Sequence, residues 1–88
     1  MHTCAHEGEW VLFTWDLRRG VRGRRWFYVQ LEAALRELPH GSWRRLGGSV
    51  YLVRKEFSGR IRKLLRRFKN PGLRWHELAV VAIMHTCA

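Results

Sequence analysis

Asparagine, glutamine and aspartate are nearly missing from this chain of 88 residues, each occurring once, as Asn70, Gln30 and Asp16. Cysteine and proline are scarce, at two each. Two cysteines cannot staple a disulfide-dense secreted scaffold, and the lack of repetitive polar tracts argues against a disordered chain. The apolar runs Val11 to Phe13 and Leu78 to Met84 fall far short of the roughly 20 residues that cross a bilayer as a helix. Met1 to Glu7 lacks the basic start and apolar core of a secretory signal, which predicts a cytoplasmic protein with no membrane partner. Few amides beside abundant charge match the bias of heat-adapted proteins, so a thermophilic source is expected.

What is present is apolar and basic. Hydrophobic residues make up 47% of the chain, enough for the core of one small domain spanning residues 1–88. Lys and Arg number 17 against 7 Asp and Glu, a formal net charge of +10. An excess of that size favours a polyanionic partner over a merely solvated surface.

Trp10 to Leu17 is β-branched and aromatic without a breaker, and reads as a strand that delivers Asp16 to its exit and runs into the loop Arg18 to Gly23. Phe27, Leu31, Ala34, Leu35 and Leu38 recur at helical spacing from Arg24 until Pro39 and Gly41 end the pattern. Ser42 to Leu46 and Ser49 to Val53 flank Gly47-Gly48, which suits a hairpin turn or a bulge in one bent strand, and two short antiparallel strands are expected. Phe57, Ile61, Leu64, Leu65 and Phe68 mark a second helix, with Ser58 as candidate N-cap and Asn70-Pro71-Gly72 as stop. Leu78 to Ile83 reads as a last strand, with a helix over 75–84 as the alternative.

Strand, helix, strand, strand, helix, strand is the ferredoxin-like βαββαβ order. It predicts an α+β domain with its core over about residues 10–83, whose four-stranded antiparallel sheet carries both helices on one face. The first and last strands are apolar on both sides, so the second face needs a cover, and a homodimer packed sheet to sheet would supply it.

The strongest chemical signal is the placement of arginine. Arg18, Arg19, Arg22, Arg24 and Arg25 crowd the first loop; Arg60, Arg62, Lys63, Arg66, Arg67 and Lys69 coat the second helix; Arg44, Arg45, Arg54 and Lys55 form a third group. Guanidinium forks match phosphate geometry, and each neutralised phosphate releases counterions, so nucleic acid, DNA above all, is the expected partner. Trp43, beside Arg44 and Arg45, is the candidate for stacking on a base. Core packing is the reading for most of the other tryptophans.

Asp16 admits two readings. Alone it would pair with Arg18, Arg19 or Arg22 and fix the loop; doubled across a two-fold axis it would hold Mg²⁺ or Mn²⁺ with a substrate phosphate. The pentapeptide Met-His-Thr-Cys-Ala occurs at residues 1–5 and again at 84–88. In the expected sheet the first and last strands are antiparallel neighbours, so the copies should meet and bring His2, Cys4 and His6 near His85 and Cys87. That donor set suits a zinc site or a Cys4–Cys87 disulfide, although neither spacing matches a standard zinc signature, and frayed termini with free thiols are the alternative. Gly20-Val21-Arg22-Gly23 and Gly47-Gly48 form no phosphate-binding fingerprint, and no serine sits in a nucleophile elbow.

Three short features resemble the Cas-two family of CRISPR adaptation and the related C-terminal domain of phenylacetate-type repressors. They are the strand Val11 to Leu17 ending in Trp-Asp-Leu, the Arg24-Arg25 pair opening a helix, and Gly48-Ser49-Val50-Tyr51. The resemblance implies a sheet-to-sheet homodimer that acts either as a metal-dependent nuclease or as a non-catalytic DNA-bridging scaffold. It would make Asp16 the metal-binding residue, bring Arg24 and Arg25 to the phosphate backbone and place Ser49 in the dimer cleft. Two departures stand out: Arg18-Arg19 follows Asp16 where the family often has polar or acidic residues, and the stretch from Asp16 to Ser49 is longer than usual. The expected function is therefore a homodimeric module that binds nucleic acid, duplex DNA above all, through phosphate contacts from the first loop and the second helix, with the nuclease and a small viral or plasmid-encoded interaction module as alternatives.

Overall fold

A computed structural model describes the backbone of residues 2–68 and 70–87 and the side chains of residues 9–68 and 70–80. The elements follow the ferredoxin-like order: β1 (His2–Leu17), α1 (Arg24–Glu37), β2 (Trp43–Gly47), β3 (Val50–Arg54), α2 (Ser58–Arg67) and β4 (Leu73–Cys87), with a short 3-10 turn at Lys55–Phe57 before α2. The sheet is antiparallel in the order β2-β3-β1-β4, so β1 lies between β3 and β4. Residues 75–84 are strand, which removes the helical alternative.

Alternation along β1 builds the core. Val11, Phe13, Trp15 and Leu17 point to one face, where they join Val53, the α1 residues Phe27, Leu31 and Leu35, and the α2 residues Ile61, Leu64 and Leu65. Because the same β1 positions meet both helices, both helices cover that face. Phe13, Phe27, Val53 and Ile61 are fully buried. Trp15 is fixed from two sides, edge-on to Phe27 at 5.7 Å between centroids and stacked on Tyr51 at 5.1 Å.

The opposite face takes the intervening positions. Leu12 stands between Leu52 on β3 and Leu78 on β4, and Asp16 stands opposite Arg74. Leu52 is buried there, whereas Leu78 is 58% exposed. The guanidinium of Arg54 lies 4.8 Å from the centre of the Trp10 ring, covering it by a cation–π contact.

Two local expectations are corrected, and the hairpin is borne out with an added bulge. The first and last strands are both longer than expected: β1 starts at His2 and crosses an irregularity between Glu7 and Trp10, and β4 starts at Leu73, directly after Gly72. The Gly47 region is both a hairpin and a bulge, since the register slips between Arg45 and Gly47 while Gly47 still pairs with Val50. Ser58 does not cap α2 through its side chain; it is buried inside the first turn, where its hydroxyl donates to the Lys55 carbonyl at 2.7 Å.

A candidate nucleic-acid interface

The fold brings the exit of β1, the start of α1, the end of α2 and the start of β4 to one end of the sheet, and backbone hydrogen bonds fasten them together. The Arg18 amide donates to the Gly72 carbonyl at 3.1 Å, and Asn70, the single asparagine, joins both connections. Its Oδ1 accepts from the Gly72 amide at 2.8 Å, and its Nδ2 donates to the Arg22 carbonyl at 3.4 Å. Two glycines allow the approach. A Cβ on Gly72 would collide with the Val21 side chain; Gly23 has φ +85° and lies against the ring of Phe68.

This clasp gathers arginines that are far apart in sequence. Arg18, Arg19, Arg22 and Arg25 on the first loop and helix start are exposed, as are Lys63, Arg66 and Arg67 on α2. Among the described residues none of these seven is held in an ion pair. Asp16, also exposed, is the single described acid at this end and makes no ion pair with Arg18, Arg19 or Arg22. The loop is fastened by the Asn70 clasp instead.

Four of the five glutamates with described side chains are engaged elsewhere. Glu9 pairs with Lys55 at 2.8 Å, Glu37 with Arg60, Glu77 with Arg62 at 2.8 Å, and Glu32 with Arg36 at 3.8 Å. The hydrogen bond and the charge of Glu9 together raise the Lys55 ammonium above its usual pKa. A cleft of about 350 Å³ lined in part by Glu9, Lys55, Arg62 and Glu77 therefore has its charges matched internally.

Individual residues divide accordingly. Arg24 is half-buried with its guanidinium 5.1 Å from the Tyr28 ring centre, which makes it part of the α1 scaffold. Arg45 folds back onto the hairpin, donating from Nε to the Gly47 carbonyl at 3.2 Å and from its terminal nitrogen to the Gly48 carbonyl at 3.1 Å. Arg60 is engaged by Glu37. Arg44 is exposed on β2, on the face opposite the helices.

Trp43 turns toward the helix side and packs on the core, its ring 6.0 Å from that of Tyr51. The exposed indole at the basic end is Trp26, at 41%. Trp26 stacks on Phe68 at 6.1 Å with the planes 17° apart, and the Arg67 guanidinium lies 5.8 Å from its ring centre. The sequence carries a signal for this exposure, since position 26 falls off the stripe formed by Phe27, Leu31, Ala34 and Leu35.

The candidate zinc and disulfide residues lie at the far end of the β1–β4 ribbon. Backbone register sets the two pentapeptide copies against each other, His2 opposite Cys87 and Cys4 opposite His85. Their side chains, and that of His6, lie outside the described residues, as does Lys69. Among the described residues no group of three or more His, Cys, Asp or Glu is arranged to hold a metal ion, and no helix is long and apolar enough to cross a membrane. Compared with protein-family profiles, with curated proteins and with solved structures, the chain matches none.

Proposed function

We propose that this protein binds nucleic acid through phosphate contacts made by the basic end of the sheet. The observation that carries the reading is the sorting of charge: four carboxylates neutralise cations elsewhere, while Arg18, Arg19, Arg22, Arg25, Arg66 and Arg67 have no carboxylate partner among the described residues and sit on two connected segments. Like charges held together repel, and a ligand bearing many phosphates relieves that repulsion.

The start of α1 strengthens the reading. A helix N-terminus carries partial positive charge, and acids there are stabilising. Here the first turn has no acid and begins with Arg24 and Arg25, and Gly23 supplies no side-chain cap. Charge placed against the dipole weakens the isolated fold and suits an anion supplied from outside.

Fluorescence anisotropy of labelled duplex DNA, single-stranded DNA and RNA, in EDTA and across a salt series, tests the proposal. Affinity should fall steeply with salt, in proportion to the phosphates contacted. Absence of binding to all three at low salt overturns it. Metal-dependent cleavage is the second reading, favoured by an exposed Asp16 that no arginine of the first loop engages beside the phosphate-binding segments. It requires a second copy to bring another Asp16 into the same site, across open faces that each carry Arg44, Arg54 and Arg74. Cleavage on adding Mn²⁺, abolished in Asp16→Asn with binding intact, would replace the binding-module reading with a nuclease. A monomer by light scattering at micromolar concentration would remove it.

A further inference from the structure

We infer that the basic end holds an unpaired nucleobase on the indole of Trp26, making the ligand a single-stranded or locally unpaired nucleic acid. The inference rests on the phosphate-binding reading above and adds the part of the ligand that phosphate contacts leave open.

Trp26 is exposed where an apolar ring gains nothing from solvent, yet it is held in place. One side of the indole is stacked on Phe68, and Phe68 in turn lies 5.2 Å from the buried ring of Phe27. The platform is thus continuous with the core, so little side-chain freedom remains to be lost when a ligand stacks on it. Phe68 is buried and cannot serve as the platform itself.

The surroundings select the occupant. The residues beside Trp26 in the chain and across the clasp include Arg22, Arg25 and Arg67; the exposed Arg67 side chain, whose guanidinium lies 5.8 Å from the indole ring centre, moves from the ring to a phosphate when a base takes its place. A hydrophobic protein segment would satisfy the ring and leave these cations without counterions. A phosphate chain alone would satisfy the cations and leave the ring in water. A nucleotide joins a planar π-face to an anionic phosphate and satisfies both, and stacking of this kind tolerates any base. Bases within an intact duplex offer no free face, so the site distinguishes unpaired from paired strands.

The test compares an oligothymidylate, a long duplex whose interior base pairs far outnumber its ends, and a polyphosphate chain, titrated against wild type, Trp26→Ala and Trp26→Phe in EDTA. Circular dichroism and thermal melting establish that each variant is folded. Trp26→Ala should weaken oligothymidylate binding about tenfold without changing the salt slope, leave duplex and polyphosphate binding unaltered, and be largely rescued by Trp26→Phe. Equal weakening for all three ligands, or none for the oligothymidylate, overturns the stacking site while leaving phosphate binding standing. Failure of every ligand to bind wild type overturns both readings. Repeating the titration with an oligouridylate and with a free nucleoside monophosphate distinguishes DNA, RNA and mononucleotide as the source of the base.

Discussion

The two ends of the sheet are built from the same residue types and use them in opposite ways. At one end, where α2 begins and β3 finishes, Lys55, Arg60 and Arg62 each face a glutamate. At the other, arginines of the first loop and of the last turn of α2 are brought together with Asp16 as the single described acid among them. The helix α2 spans both situations within ten residues: its first arginines are tied to carboxylates, and its last ones have none among the described residues. Basic composition alone therefore says little about function; what matters is which cations the fold has already neutralised.

The largest effect should come from breaking the clasp that makes the basic end one surface. Gly72→Ala drives a methyl group into Val21, a stiff β-branched residue, and crowds Asn70 Oδ1 at 3.2 Å. Overpacking of this kind costs about 1–3 kcal/mol, and we expect nucleic-acid affinity to drop with it as the two arginine segments part. Urea denaturation reads the first effect and anisotropy the second. The double variant Gly72→Ala with Val21→Ala should recover most of both, whereas a change unrelated to the clasp would not be relieved by trimming Val21.

Charge reversal at each end sharpens the contrast. Arg66→Glu with Arg67→Glu should weaken binding by at least about tenfold and lower the salt slope by about one for each phosphate no longer neutralised. Arg60→Glu, which sets a like charge against Glu37, should leave the slope unchanged. Equal weakening from the two ends would mean that net charge, and not its sorting, drives binding.

Arg62 shows what a committed arginine does. Its Nε donates to both carboxylate oxygens of Glu77, at 2.9 and 3.1 Å, and its side chain is 29% exposed. Arg62→Ala should lower stability by about 1 kcal/mol, the size expected of a well-formed but partly solvated pair, with no change in nucleic-acid affinity.

This pair also explains why part of the fold was hidden in the sequence. The core of β1 and both helices were legible because Phe13, Trp15 and Leu17 alternate, while Phe27, Leu31, Leu35 and Ile61, Leu64, Leu65 recur at helical spacing. The first half of β4 was not, because Glu77 takes a position shared with Leu73 and Trp75 and interrupts the apolar alternation. Only its partner on α2, fifteen residues earlier, makes a carboxylate acceptable there. The start of β1 was obscured by Glu7-Gly8-Glu9, where the register shifts and a charged, glycine-containing stretch imitates a turn. For the candidate site, the arginine clusters and the position of Asp16 at a strand exit followed from local pattern. Their convergence did not, because the Asn70 clasp joins segments 48 residues apart. The side of β2 on which Trp43 lies was hidden for a related reason: the bulge after Arg45 sets which side of β2 faces the helices, and no local rule fixes that parity.

The smallest effect is the most diagnostic, because its two readouts should move in opposite directions. Arg25 sits in the first turn of α1, exposed, with no acid in that turn to offset the helix dipole. Arg25→Glu replaces a charge of the wrong sign by one of the right sign and relieves repulsion from Arg22 nearby. We expect it to stabilise the free protein by about 0.5 kcal/mol, read as a higher Tm, because dipole interactions at exposed helix ends are of that size. The same change removes a cation from the phosphate-binding surface and should weaken nucleic-acid binding, with the salt slope reduced by about one. A gain in stability that accompanies weaker binding is the mark of a residue kept for its ligand. If instead Arg25→Glu lowers Tm, Arg25 supports the fold, and the basic end has one fewer cation to offer a phosphate.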